Sequence, residues 1–278
     1  MKPAGRSPAA PSTSSNSSTS PAGRRRSPPA ALPAYVLHHH DWSESSLILE
    51  LFTREFGRIA AVAKGAKRPY SQLRSVLLPF QRLQVQLGGR REEQGAEVAL
   101  LRGAEWAGGP AMPAGAALLA GFHLNELLLR GLPRHDPHPR LFDAYAATLP
   151  LLGRVYEAET AAALRAFELL LLSEAGVLPD LTCVTATQTP VRPGERHPLH
   201  PESGLLGPAR HSEAGLPGAT LIALQAALNA GDLPGLRQAC LGALSELRSQ
   251  LRPLLLYHLG ATQLRTRSLM LDLQKLAD

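Results

Sequence analysis

Cysteine and histidine are residue types that can hold a metal ion, and several of them gather between residues 180 and 215. The candidate ligands are Cys183, His197, His200 and His211. A thiolate and three imidazoles can coordinate zinc, but the spacing of these four residues matches known zinc sites poorly. The prolines of the stretch explain an irregular loop without any metal. We therefore expect neither zinc nor another cofactor.

The sequence carries none of the motifs by which common enzymes are recognised. It has no Walker-type phosphate loop, no GxSxG nucleophile elbow, no HExxH pair and no dinucleotide fingerprint. Asp41 and the pair His135-Asp136 are too few, because two-metal nucleases need several converging carboxylates. The consecutive histidines from His38 to His40 point to opposite faces of an extended segment and cannot converge on one ion. We predict a protein that is not an enzyme, with a metal-dependent nucleic-acid enzyme as the alternative.

Positive charge is concentrated in one short part of the chain. The formal net charge is +6, yet residues 58 to 91 contain eight basic residues and no acid, whereas residues 34 to 57 carry a net charge of −3. Lysine and arginine neutralise phosphates and release condensed counterions, so their affinity for nucleic acid falls as salt rises. The residues that we predict to bind DNA are Lys64, Lys67 and Arg68, extended by Arg58, Arg74 and Arg82.

The centre of this basic segment has the residues of a loop. Residues 64–69 follow directly on a predicted strand, and Gly65 and Pro69 mark them as a loop, where a β-barrel presents its ligand-binding loops. A merely solvated face usually mixes both signs of charge, so the absence of acids favours phosphate binding by Lys64, Lys67 and Arg68. An RNA-binding barrel is a further alternative.

Aromatic residues near the basic segment are a second candidate for nucleic-acid contact. Tyr70, Phe80 and Phe56 can stack on bases. In a barrel this small, however, we expect aromatic side chains in the core more often than at a ligand.

Short apolar runs predict an N-terminal domain of β-strands. The five runs of strand length are residues 35–37, 47–52, 58–63, 83–87 and 98–101. Leu83, Val85 and Leu87 alternate with glutamines, which is typical of a half-buried strand. Five short antiparallel strands suit a closed oligonucleotide-binding (OB) barrel, with a small open sandwich as the alternative. We place an OB-fold nucleic-acid-binding domain at residues 34–107.

Apolar residues recur at helical spacing after the linker at residues 108–113. The predicted helices are residues 116–132, 141–152, 157–175, 219–230, 233–251 and 264–276. Prolines, among them Pro253, punctuate these helices. The stretch at 180–215 is longer than an ordinary connection and is either a functional insert or a mobile loop. The fold class is therefore α+β, with an all-helical domain at residues 114–278 that contains this irregular insert.

Residues 1–33 are rich in serine, proline and arginine and nearly free of large apolar side chains, so we expect a disordered tail. Their composition also resembles an organelle transit peptide, but the scattered prolines oppose the amphipathic helix of such a peptide. No apolar run approaches the roughly 20 residues that cross a bilayer. Two cysteines are too few for a disulfide framework. We expect a soluble, cytoplasmic protein that does not bind a membrane.

Four blocks of the sequence carry a family resemblance: AYVLHHHDWSESSLILELFTREFGRIAAVAKGAKRP at residues 34–69, AGFHLNELLLRGLPRHDPHPRLFDAY at 120–145, LRAFELLLLSEAG at 164–176 and LLLYHLGATQLRTRS at 254–268. Through these blocks, the sequence resembles the RecO family of bacterial DNA repair proteins across almost everything after the tail. The resemblance implies an OB barrel on a helical domain that binds single- and double-stranded DNA and anneals complementary strands. It also implies partners: RecR, and the recombinase RecA, which the family loads onto strands coated by single-strand-binding protein (SSB).

The same resemblance implies a contact with SSB in the helical domain. A groove there is expected to receive the acidic, apolar C-terminal tail of SSB, for which an arginine beside an apolar pocket is suitable chemistry. The candidate residues are Arg130, Arg134 and Phe122. The alternative is that Arg130 belongs to a polar row with His123 and Glu126 that forms an ion pair within the chain.

The resemblance also bears on the insert. Some relatives carry a four-cysteine zinc site there, whereas this chain keeps Cys183 and has Ala186 where a CxxC partner is expected. The insert is therefore expected to resemble a degenerate zinc finger that has lost its metal site.

Overall fold

A computed structural model of the protein describes residues 31–88, 98–153, 157–209, 215–269 and 272. The tail was predicted to be disordered over residues 1–33, and its first 30 residues lie outside the described residues. Arg90, Arg91 and His211 lie outside them as well.

The N-terminal half forms a closed five-stranded barrel. Its elements are β1 (Leu32–Asp41), β2 (Leu47–Thr53), β3 (Gly57–Ala63), the short helix α1 (Gln72–Val76), β4 (Leu83–Gly88) and β5 (Val98–Trp106). The strands pair in the order β1-β2-β3-β5-β4, with β3 parallel to β5 and the other pairs antiparallel. The predicted barrel is confirmed, but the expectation that all its strands pair antiparallel was wrong for β3 and β5. Helix α1 was not predicted, and β1 begins two residues before the expected boundary at residue 34.

Side chains of β1 and β2 are divided between two cores. Val36 and Leu51 pack inside the barrel, whereas Tyr35 and Phe52 pack with the helical domain. Successive side chains of a strand point to opposite faces, so both faces of these two strands are covered. This explains why β2 is apolar at almost every position, and it places the barrel on the helical domain through its β1–β2 face.

The C-terminal half consists mainly of helices. They are α2 (Ala116–Gly131), α3 (Pro139–Thr148), α4 (Glu157–Glu174), α5 (Gly218–Ala230), α6 (Leu233–Leu241) and α7 (Leu244–His258), and residues 265–269 are also helical. Their leucines form one continuous core with Tyr145 and Phe167. No helix among the described residues is long and apolar enough to cross a membrane.

The prediction of a single helix over residues 233–251 was wrong. The chain breaks at Gly242 and Ala243, between α6 and α7. Pro253, which we expected to end a helix, lies inside α7. A proline there loses one backbone hydrogen bond, but Leu251 and Leu254 on either side of it are fully buried and hold the helix against the core.

The insert is more ordered than an irregular loop. Two small antiparallel pairs involve it: β7 (Leu199–His200) pairs with β8 (Gly204–Leu205), and β6 (Arg196–His197) pairs with β9 (Leu216–Pro217), directly after the insert. Leu199 of β7, Leu205 of β8 and Leu216 of β9 join the core of the helical domain. Arg196 also donates to Glu246 of α7 at 2.8 Å. The insert is thus packed onto the helices, and the domain is not all-helical.

Polar contacts reinforce the joint between barrel and helical domain. Asn125 of α2 donates to the Leu37 carbonyl of β1 at 2.9 Å. Glu50 of β2 is 5% exposed. Its carboxylate forms an ion pair with Arg134, beyond α2, and lies 4.0 Å from the Arg58 guanidinium of β3. A buried carboxylate with two arginines therefore sits between the two halves.

Candidate nucleic-acid interface

The segment between β3 and α1, residues 64–71, displays the centre of the predicted basic segment at one end of β3, and we call it the basic loop. Gly65 adopts a φ of +71°, which glycine takes without strain. The Arg68 N–H donates to the Gly65 carbonyl at 3.2 Å and closes a turn. The side chains of Lys64 and Arg68 are exposed, so a polyanion can reach both.

Lys67 differs from its neighbours because it holds two loops together. Its Nζ lies 3.2 Å from Asp41 Oδ1 and donates to the Ser43 carbonyl at 3.1 Å. Its backbone N–H donates to the Ser45 carbonyl at 3.0 Å. The basic loop is thereby fastened to the β1–β2 loop, residues 42–46. Lys67 positions the site, and Asp41 neutralises part of its charge.

The fold places acids beside the basic loop, which the charge count along the sequence did not reveal. Asp41 and Glu44 are exposed at the end of β1 and in the β1–β2 loop. Lys67 contacts Asp41 directly, so acids that lie before the basic segment in sequence are close to the basic loop in space. Basic residues still outnumber these two acids, since this end of the barrel carries Lys64, Lys67, Arg68 and Arg74.

Arg74 and Arg82 take different positions. Arg74 is exposed on α1, directly after the basic loop, and extends its charge. Arg82 precedes β4, where its backbone exchanges hydrogen bonds with Ala107 and Gly108. The structure therefore groups Arg74 with the basic loop and puts Arg82 at the linker between the two halves.

Arg58 lies in the joint and not with the basic loop. Its guanidinium donates to the Leu129 carbonyl of α2 and faces Glu50. Burial lowers the pKa of Arg58, Glu50 raises it and Arg134 lowers it again, with a net decrease. This position removes Arg58 from the candidate interface, because its charge is already engaged and shielded from solvent.

The aromatic residues near the basic segment have three different environments. Phe80 is fully buried, as predicted, but Tyr70 is 99% exposed, so the expectation of a core position was wrong for it. Phe56 is half-exposed in the β2–β3 turn, at the other end of β3 from the basic loop. Our sequence reasoning missed Trp42, which is 65% exposed in the β1–β2 loop. The available signal was a tryptophan within a run of polar residues.

Arg130, a predicted contact for the SSB tail, serves an ion pair within the chain. Its Nε donates to Glu126 at 3.1 Å, which is the alternative that the sequence left open. Glu126 also accepts the backbone N–H groups of Arg265 and Thr266, each at 2.9 Å. Burial raises the pKa of Glu126, but the hydrogen bonds from Thr266 and Arg265 lower it more. Glu126 therefore caps the start of the helical residues 265–269.

The other two predicted contacts of the SSB tail lie nearer the barrel. Arg134 is paired with Glu50 in the joint. Phe122 is partly exposed and meets Phe80 edge to face, with ring centroids 5.1 Å apart. Arg130, Arg134 and Phe122 thus do not converge on one pocket.

A different set of arginines does converge, in a cleft of about 270 Å³ between α2, α4, α7 and residues 263–267, which we call the arginine cleft. Its arginines are Arg165, Arg248, Arg252 and Arg267. Leucines of α4 and α7, together with Leu264, form its apolar wall. Arg248 and Arg252 are four residues apart on one helix, so they share a face. That spacing was a signal in the sequence, whereas the approach of Arg267 was not.

Positive charge dominates the arginine cleft. Its carboxylate, Glu168, is buried and accepts from Arg165 at 2.8 Å, and it lies 3.1 Å from His123 Nε2. Burial lowers the pKa of Arg267, and repulsion from Arg252, Arg248 and Arg165 lowers it further. Like charges that destabilise one another in this way favour an anionic ligand.

The candidate zinc ligands within the described residues have other partners. Cys183 lies 3.8 Å from the Gln188 amide oxygen, and His197 is buried with Nδ1 2.9 Å from the Leu206 carbonyl. His200 accepts a backbone N–H two residues further on. In the described ranges, no three His, Cys, Asp or Glu side chains are grouped closely enough to hold a metal. The expectation of a metal-free insert stays a prediction.

Two family models match most of the sequence. The family described as "Recombination protein O N terminal" matches residues 30–107, and "Recombination protein O C terminal" matches residues 112–268. The boundary between the matches falls in the linker between β5 and α2.

Curated relatives match over the same extent. The chain is 52% identical over 245 residues to the DNA repair protein RecO of Polaromonas naphthalenivorans. It is 53% identical over 253 residues to that of Variovorax paradoxus and 51% identical over 259 residues to that of Acidovorax ebreus. Each alignment covers 88% of this chain and 96% or 97% of the relative.

Proposed function

Since this chain belongs to the RecO family of DNA repair proteins, we propose that it is a recombination mediator that binds single- and double-stranded DNA and anneals complementary strands. In this proposal it works in the bacterial cytoplasm and, together with RecR, helps to load RecA onto single strands coated by SSB. The family name describes DNA repair, and in this proposal the chain acts by binding and not by catalysis.

The observation that carries the DNA-binding proposal is the exposed basic loop at one end of a closed barrel. Lys64 and Arg68 are exposed there, and Arg74 follows on α1. Lys67 supports this arrangement through its contacts with Asp41 and the β1–β2 loop. Because these residues recognise charge and not base identity, the proposed binding is independent of sequence and sensitive to salt.

Annealing of SSB-coated complementary strands tests this proposal. We expect the variant Lys64→Ala/Arg68→Ala to anneal such strands at least about tenfold more slowly than the unchanged protein, because two phosphate contacts together contribute more than tenfold in affinity. The rate is followed with fluorophore-labelled strands, and the control variant Arg24→Ala/Arg25→Ala removes the same charge from the tail.

Three outcomes contradict the proposal. One is annealing at the normal rate by the loop variant, and another is cleavage of labelled DNA with magnesium or manganese. The third is displacement of bound DNA by a matched RNA strand at much lower concentration than by DNA, which favours an RNA-binding barrel.

We also propose that the arginine cleft, and not Arg130 and Arg134, receives the acidic, apolar tail of SSB. The cleft combines guanidinium groups with a leucine wall, which matches carboxylates and apolar side chains on one short peptide. Glu168 is already neutralised by Arg165. Arg248, Arg252 and Arg267 therefore remain to meet the carboxylates of the tail.

Charge reversal in α7 tests this second site. We expect Arg248→Glu/Arg252→Glu to weaken binding of a fluorescent peptide copying the SSB C-terminus at least about tenfold, since each lost hydrogen bond to a charged group costs about 1.5 kcal/mol or more. The control Arg192→Glu/Arg237→Glu makes the same charge change outside the cleft. If both variants lose the same affinity for the peptide, or if the cleft variant loses none, the arginine cleft is not the binding site of the SSB tail.

A further inference from the structure

Two large aromatic side chains are exposed at the end of the barrel that carries the basic loop. Trp42 is 65% exposed and Tyr70 is 99% exposed. Trp42 lies in the β1–β2 loop, and Tyr70 lies near the end of the basic loop. Single exposed apolar residues are common on protein surfaces, but these two lie on loops that the protein holds together and that also carry its exposed cations.

The backbone beneath Trp42 is held in place. The Trp42 N–H donates to the Ser46 carbonyl at 3.1 Å, and the Ser46 N–H donates to Ser43 Oγ at 3.2 Å. Lys67 of the basic loop also holds the β1–β2 loop, through its contacts with Asp41 and the Ser43 carbonyl. A loop with so many fixed backbone atoms has little backbone freedom left to lose when a ligand binds.

Tyr70 is held at the same junction. The Arg68 N–H donates to Gly65, and the Ser71 N–H donates to the Arg68 carbonyl at 3.0 Å, so the chain turns twice around this part of the loop. Tyr70 follows Lys67 by three residues, and three residues span at most about 10 Å. Tyr70 therefore stands close to the point where Lys67 joins the two loops.

We propose that Trp42 and Tyr70 form a stacking platform for unpaired bases, so that this end of the barrel prefers single-stranded over double-stranded DNA. This inference rests on the proposed DNA binding by the basic loop and adds the residues that select the strand. Aromatic rings stack on the face of any base, whereas in a duplex those faces are covered by neighbouring bases. Lys64 and Arg68, exposed on the same loop as Tyr70, contact the phosphates between the stacked bases.

Other aromatic residues of the barrel serve different purposes. Phe80 is fully buried. Trp106 is also exposed, but its Nε1 donates to Gln81 at 3.0 Å beside the linker. Trp106 thus provides a control, since the chain contains two tryptophans and the other is Trp42.

The test compares three probes with the full chain: oligothymidylate, a strand of the same length without bases, and a duplex. We expect Trp42→Ala and Tyr70→Ala each to lower affinity for oligothymidylate roughly tenfold, in keeping with the stacking contribution per base. Affinity for the baseless strand and the duplex should stay within about twofold, with an unchanged salt slope, because the phosphate contacts remain. Trp42→Phe and Tyr70→Phe should restore most of the affinity for oligothymidylate.

Tryptophan fluorescence gives a second readout that does not depend on removing the platform. In the variant Trp106→Phe, Trp42 is the tryptophan that remains, and its emission should be quenched by oligothymidylate but not by the baseless strand. In Trp42→Phe, the emission of Trp106 should not change with either probe.

Equal loss of affinity for all three probes, unchanged affinity for oligothymidylate, or quenching of Trp42 by the baseless strand overturns the platform. If the platform fails while the unchanged protein still binds every probe with a steep salt slope, the basic loop remains the DNA site. If the unchanged protein binds none of the probes, the proposed DNA binding itself fails, and a protein partner becomes the better ligand for these aromatic side chains.

Discussion

The variant Lys64→Ala/Arg68→Ala/Arg74→Ala is expected to bind a single-stranded oligonucleotide about 100-fold more weakly than the unchanged protein at about 0.1 M salt. Each phosphate contact on a single strand contributes about 0.7 to the salt slope, which corresponds to about fivefold in affinity at this salt concentration. Three lost contacts multiply to about 100-fold and reduce the slope by about two. Fluorescence anisotropy over a series of salt concentrations measures both quantities.

The matched control for this variant removes three charges from the N-terminal tail, as Arg24→Ala/Arg25→Ala/Arg26→Ala. Both variants have the same net charge, so a nonspecific effect of charge lowers affinity equally in the two. We expect the tail variant to keep affinity within about threefold of the unchanged protein, because a phosphate contact contributes about fivefold and the tail is expected to add only diffuse attraction. An unaltered salt slope in the loop variant would rule out phosphate contacts by these residues.

The variant Glu50→Ala is expected to lower the free energy of unfolding by about 3–5 kcal/mol, the usual cost of removing one member of a buried ion pair. Glu50 is 5% exposed. Its removal leaves the mostly buried Arg58 facing Arg134 without the carboxylate that separates their charges. Unfolding in urea, followed by circular dichroism, measures the loss.

A second ion pair across the same joint provides the control for Glu50. Arg54, at the barrel end of the joint, donates to Asp143 of α3 at 2.9 Å, but the two side chains are 46% and 56% exposed. Exposed pairs contribute little to stability, so Arg54→Ala should leave the free energy of unfolding nearly unchanged. If the two variants lose the same stability, the buried position of Glu50 has no special importance.

The strands were predictable because alternation and turn residues are local signals. Leu83, Val85 and Leu87 marked β4, and Gly65 marked the loop that follows β3. The break between α6 and α7 was not predictable in the same way, because Gly242 also fits a helical pattern at a modest cost. The packing of the flanking leucines against the core decides it, and that packing depends on distant parts of the chain.

Which basic residues face DNA could be predicted only in part. Arg58 pairs with Phe52 across β2 and β3, and directly opposed residues of two strands share a face. Phe52 faces the helical domain, so Arg58 must face it too. That conclusion requires the strand register, which no local pattern supplies. The arginine cleft was missed for the same reason, since Arg267 joins Arg248 and Arg252 only after the helices pack.

The burial of β1 and β2 on both faces means that the barrel is not a transferable module, although the family boundary falls between it and the helices. A fragment ending at the linker would expose Tyr35, Leu37 and Phe52 as a continuous apolar surface, with the Glu50 carboxylate in its midst. Such a fragment should aggregate or bind other apolar surfaces, even with its basic loop intact. We therefore expect the two halves to unfold together, and we expect a shortened protein to lose its fold before its DNA binding can be measured.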